Sequence, residues 1–81
     1  MIFKEIDVVR VLEPVKAHVL GEGTPSIVTV AGGTTGTVVL VYGPPTNPVA
    51  YEIEFSADRV GLEDPYSIVL ADVPAALVVA A

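Results

Sequence analysis

Apolar and polar positions alternate most sharply at Tyr51-Glu52-Ile53-Glu54-Phe55, where three apolar side chains share one face and two carboxylates the other. That is the pattern of a strand with one wet side. Upstream, Thr37-Val38-Val39-Leu40-Val41-Tyr42 carries Val, Leu or Tyr on both parities, which predicts a central strand covered on both faces. Between the two, Gly43-Pro44-Pro45-Thr46-Asn47-Pro48 has three prolines that cannot donate to a ladder, and reads as a stiff surface hairpin connection.

The remaining chain is punctuated in the same way. Ile6 to Leu12 predicts a strand with Ile6, Val8 and Leu12 toward the core, Asp7, Val9 and Val11 outward, and Arg10 an exception on the core side. Glu13-Pro14 ends it, and Val15 to Gly23 reads as a loop turning at Gly21 and Gly23. Ser26 to Ala31 is β-branched and bounded by Thr24-Pro25 and Gly32-Gly33, a short strand expected to pair with the Thr37 to Tyr42 strand after it. Ser56 to Asp64 is a polar loop, and Tyr66 to Asp72 a weakly alternating strand. Pro74 to Ala76 suits one helical turn, and Leu77 to Ala81 a last strand. No helical period survives three turns. Five to six short strands at turn-punctuated spacing predict an all-β, small barrel, formed by residues 1–81 as one domain.

Composition narrows the class. Of 81 residues, 52% are apolar, enough for one modest core without staples, and the absence of cysteine removes disulfide frameworks and thiolate metal sites. The charged N-terminal residues and the cysteine-free composition point to the cytoplasm rather than to export. Gly23 to Tyr51 is uncharged and long enough to span a bilayer, but Pro25, Pro44, Pro45, Pro48 and five glycines interrupt it, so a membrane helix is not expected. Ten carboxylates against four Lys/Arg give a net charge of −6, which repels phosphate backbones and favours basic partners.

The order Asp7-Val8-Val9, then Gly33-Thr34-Thr35-Gly36-Thr37-Val38-Val39 with Val41-Tyr42, then Tyr51-Glu52-Ile53-Glu54-Phe55, resembles a bacterial family of small domains of unknown function. Its pattern is D-V-V, G-x-x-G-T-V-V-x-V-Y and Y-E-V-E-F. The resemblance is specific over residues 33 to 55, and implies an SH3-like barrel with a helical turn before its last strand and no established activity. The chain departs from the pattern in a longer first loop containing the Thr24 to Ala31 segment, and in the uncharged final strand.

Candidate chemistry is sparse. Glu52 and Glu54, two apart on a strand, share a face at a Cα spacing of roughly 6.5 Å. Paired carboxylates of this kind serve acid–base work, but nothing apolar flanks them, so a solvated outer face is the better reading. His18 is the sole histidine and has no local metal-ligand partners, so no metal is expected. Gly32 to Thr37 lacks the Lys and following helix of a phosphate loop and reads as a turn; G-x-x-G-x-V openings also occur in RNA-associated barrels, but those use basic loops, whereas this chain offers only Lys4, Arg10, Lys16 and Arg59. Ser26, Ser56 and Ser67 have no neighbouring base. Tyr42, Tyr51 and Tyr66 invite comparison with an aromatic peptide groove, although the tryptophan of such grooves is missing and core or rim packing explains them better.

The expected function is therefore a non-catalytic interaction domain without cofactor, binding a protein partner or forming a homo-oligomer through uncharged strands. The candidate surface is Tyr42, Pro44, Pro45, Tyr51, Tyr66, Leu77 and Val79. The alternative is an acidic neutralising partner of a basic protein, as an antitoxin or immunity protein is; an RNA-associated barrel ranks lower.

Overall fold

The computed structural model describes residues 2–21 and 27–81. It is all-β: β1 (Val8–Val11), β2 (Val15–Leu20), β3 (Ile27–Val30), β4 (Thr35–Tyr42), β5 (Ala50–Phe55), β6 (Ile68–Pro74) and β7 (Val78–Ala80), with 3₁₀ turns at Ala57–Val60 and Ala75–Leu77. The second turn stands immediately before the last strand, as the position of Pro74 predicts. All pairings are antiparallel, in the order β3-β2-β6-β5-β4-β1-β7. Among the described residues no second layer of helices covers this sheet, yet side chains from all seven strands join one core and many reach zero exposure. One face of a single sheet can be that dry only if the sheet curls over it, and the result is a small, partly open barrel whose edge strands β3 and β7 are not paired with each other.

β5 supplies the floor of the core with Tyr51, Ile53 and Phe55, while Glu52 and Glu54 point away, as the alternation predicts. Tyr51 also anchors the N-terminal segment. Its hydroxyl accepts the Phe3 N–H at 3.1 Å, and the two rings meet edge to face at 5.7 Å.

Four expectations are corrected. In β1 the faces are reversed: Val9 and Val11 are fully buried, whereas Ile6, Val8 and Leu12 are exposed. Arg10 shares a parity with Val8 and Leu12, and keeping its charge in water sends the odd-numbered valines inward. Val15 to Leu20 is a strand, not a loop, with Val15, Ala17 and Val19 turned in and Lys16, His18 and Leu20 turned out. The next strand, Ile27–Val30, pairs with the preceding β2 rather than with β4, and forms one edge of the sheet; Ser26 lies outside the described residues. Finally, β4 is interior but only partly covered on its outer side. A bulge between Val38 and Leu40 re-aims the strand so that Val38 and Val41 face in while Leu40 and Tyr42 face out.

Two local devices complete the seams. The turn Ala57–Val60 lies against edge strand β3, and Val60 and Leu62 pack onto the core. Gly36, opposite Val9, has its missing side chain aimed at β5: a Cβ there would stand 2.6 Å from Ile53 Cγ2 and 2.8 Å from the Glu54 carbonyl oxygen. Only glycine lets β4 pack so closely on β5 at this position.

Candidate interaction surface

The register fixes which side chains are neighbours on the outer face. Ile27, His18, Leu70, Glu54, Thr37 and Val8 form one row across six strands. Beside that row Leu20 stands opposite Ile68, on the other side Leu40, Glu52 and Asp72 align, and beyond them lie Tyr42, Ala50 and Pro74. Leu20, Ile27 and Ile68 are 54%, 53% and 43% exposed, so three large apolar side chains adjoin on β2, β3 and β6. His18, also exposed, is set among them on the outer face.

The β5–β6 part of the face is acidic. Glu52 is directly opposite Asp72, an arrangement that costs stability because like charges across a strand pair repel. Tyr42 reaches across from β4 and donates its hydroxyl hydrogen to Asp72 Oδ1 at 3.0 Å. That bond to the carboxylate, reinforced by burial and by the charges of Asp72 and Glu52, pushes the Tyr42 phenol above its ordinary value of 10.0. Three of the chain's cations are occupied elsewhere, Arg10 on the Gly33 carbonyl, Lys16 on Thr29 Oγ1 and Arg59 on Thr35 Oγ1.

Where the chain leaves β5 and returns as β6, it encloses a cleft of about 450 Å³ lined by Thr37, Glu54, Phe55, Ser56, Ala57, Asp58, Pro65, Tyr66, Ser67 and Ile68. Tyr66 stands at 88% exposure, while Ser67 is 7% exposed. The Ser67 Oγ is the one buried side-chain polar atom among the described residues without a hydrogen-bond partner. Near the other end of the sheet, Ile2, Phe3, Val41, Gly43 and Pro45 line a second, shallower groove.

The segment leading into β1 contains a strained residue. Ile6 has φ of 67° in a turn closed by Asp7 N–H to the Lys4 carbonyl and by Lys4 N–H to Asp7 Oδ2. Its own N–H is bonded to the Val38 carbonyl at 2.8 Å, which holds it in place, and its side chain is 83% exposed. A β-branched residue rarely occupies this left-handed region.

The structure disperses the expected surface residues. Tyr51 is 1% exposed and belongs to the core; the apolar alternation that made β5 legible is what buries it. Tyr42 is half-buried beside the exposed Pro44 and Pro45 at the β4–β5 hairpin, whereas Tyr66 rims the cleft at the opposite ends of β5 and β6. Leu77 packs against the core from its 3₁₀ turn, and Val79 is exposed opposite Arg10. Leu20, Ile27, Ile68 and Asp72 were not among those expectations. The period-2 pattern of residues 15–20 carries a signal for Leu20, but the register that seats Asp72 against Glu52 has no local signature.

The described residues contain no group of three or more His, Asp or Glu side chains that could hold a metal ion. No helix among them is long and apolar enough to cross a membrane. Gly32 to Thr34 is a turn, with Gly33 at φ 89° and Thr34 bonded back to the Ala31 carbonyl through both its N–H and its hydroxyl. In comparison with protein-family models, curated proteins and solved structures, the chain matches none.

Proposed function

We propose that this chain is a non-catalytic interaction domain that binds a protein partner, or a second copy of itself, through uncharged strands on the outer face of its barrel. The observation that carries the reading is the adjacency of Leu20, Ile27 and Ile68 on neighbouring strands, each at least 43% exposed although the core is already complete without them. Single exposed apolar residues are ordinary, but a group on one face marks a contact surface. Edge strand β3 has no charged residue to block strand pairing.

The test is the state of the protein with and without that surface. Sedimentation velocity over a concentration series, and capture of partners from a lysate of the source cell, are compared for the wild type and for Leu20→Lys and Ile27→Lys. Self-association or capture that both substitutions abolish supports the reading. A monomer that captures nothing and binds no hydrophobic dye overturns it.

A second reading, an acidic partner that neutralises a basic protein, draws support from the carboxylates of β5 and β6, none of which is in an ion pair among the described residues. Such binding weakens steeply with salt, because exposed charges are screened within about 10 Å at ordinary ionic strength.

A further inference from the structure

We propose that the cleft between the end of β5 and the start of β6 receives one arginine side chain presented by a basic protein partner. The inference rests on the interaction reading and names the chemistry of the partner. Four features converge on it. The first is size: at about 450 Å³ the cleft falls within the roughly 300–1,000 Å³ typical of sites that enclose a small group. The second is lining: Phe55, Ala57, Pro65 and Ile68 give apolar walls suited to an aliphatic stem. The third is charge. Glu54 and Asp58 both line the cleft, and no cation forms an ion pair with either among the described residues. Arg59, the nearest in sequence, turns instead to Thr35 Oγ1. The fourth is unspent bonding capacity, since Ser67 is more than nine-tenths buried in the lining and its hydroxyl has no partner.

Arginine satisfies these features together. A guanidinium offers five N–H donors in a plane, enough to bond a carboxylate through two of them and keep others for a serine hydroxyl. The same plane stacks on an aromatic ring, and Tyr66 holds its ring almost fully in solvent at the cleft rim, where a monomer gains little from it. Lysine fits less well, because its compact, strongly hydrated ammonium neither stacks nor binds bidentately. Ile68 belongs both to the cleft lining and to the apolar group with Leu20, so an arginine inserted here is continuous with contacts on the exposed strands.

The test is an NMR titration of the ¹⁵N-labelled chain with N-acetyl-arginine amide, run beside the isosteric neutral N-acetyl-citrulline amide and N-acetyl-lysine amide. The expected result is saturable shifts confined to the amides of residues 54–58 and 66–68, weaker with lysine and absent with citrulline. Glu54→Gln and Asp58→Asn, both at exposed positions, each lower the affinity roughly fivefold, which is about 1 kcal/mol at 1.4 kcal/mol per decade. Equal shifts with citrulline, shifts spread over carboxylates outside the cleft such as Glu13 and Glu52, or no saturable response all overturn the proposal. The variants also separate it from the reading beneath it. Partner capture lost in Leu20→Lys but retained in Glu54→Gln and Asp58→Asn leaves the interaction domain standing and removes the arginine site. A monomeric wild type that captures nothing removes the interaction reading while the titration still decides the cleft.

Discussion

Replacing Gly36 by alanine tests the packing of β4 on β5 with a single methyl group. The added Cβ would sit 2.6 Å from Ile53 Cγ2, 2.8 Å from the Glu54 carbonyl oxygen and 2.9 Å from Phe55 Cδ1, all closer than side-chain carbons stand in folded proteins. Two of these partners are buried core side chains and the third is backbone held in the β4–β5 ladder, so none can withdraw without moving the strand pair. Overpacking of this kind costs about 1–3 kcal/mol. The loss of glycine's freedom in the unfolded chain returns about 0.4–1 kcal/mol. With backbone among the obstructions, the cost belongs at the upper end of its range, and the net is a destabilisation of about 2 kcal/mol. For a domain of this length that lowers Tm by roughly 8–16 °C, at 4–8 °C per kcal/mol. Urea and thermal unfolding followed by far-UV circular dichroism measure it. Ile53→Ala removes the nearest obstruction, so the double variant is expected to lose about 1 kcal/mol less than the sum of the two single variants. A Gly36→Ala protein within about 0.5 kcal/mol of wild type, or strict additivity with Ile53→Ala, would refute the packing argument.

Three other perturbations read different parts of the molecule. At Ile6, glycine is expected to be more stable than alanine by about 0.5–1 kcal/mol, because only glycine escapes the left-handed penalty of about 1–2 kcal/mol and it gives back part in unfolded-state entropy; equal urea midpoints for the two would mean that the turn is not left-handed in solution. Tyr51→Phe keeps the ring but strands the buried Phe3 N–H, and a loss of about 1–3 kcal/mol is expected, with faster hydrogen exchange at Phe3; an unchanged Phe3 amide would show that the N-terminal segment is held by other means. Tyr42 is expected to ionise above the ordinary tyrosine range, and Asp72→Asn to bring it back down. Because the folded-state value is raised, the stability linked to it is present below the unfolded-state pKa and lost as pH climbs through the folded one, a window beginning near pH 10. Ultraviolet difference titration checks it, and a Tyr42 signal unmoved by Asp72→Asn would contradict the hydrogen bond.

Local pattern was sufficient wherever one rule acted alone. Tyr51-Glu52-Ile53-Glu54-Phe55 reads as a one-sided strand because hydrophobic burial and the period of a β-strand agree there, and it has that face in the structure. The all-β class, the proline-stiffened turn after Tyr42 and the short helical turn before the last strand follow from equally local constraints: proline's missing donor, glycine's permissiveness and the lack of any 3.6-residue period.

Where two local rules compete, the tertiary structure chose. In Val8–Val11 both parities carry valine, so hydropathy alone cannot say which side is in, and it is the cost of burying Arg10 that turns Val9 and Val11 to the core. Val15–Leu20 was obscured by His18, Lys16 and the following glycine, although its alternation is sound once β3 and β6 pair with it. The candidate site is less local still. Glu54 comes from β5, Asp58 from a 3₁₀ turn, and Tyr66, Ser67 and Ile68 from the approach to β6 and its first residue, and they line one cleft because β5 and β6 are antiparallel neighbours. The sequence by itself determined which segments extend and where they must turn, since those depend on forces acting within a few residues. Strand order, register, and hence which exposed side chains stand together, were decided only by the curled sheet, because pairing partners are chosen by packing between segments far apart in the chain.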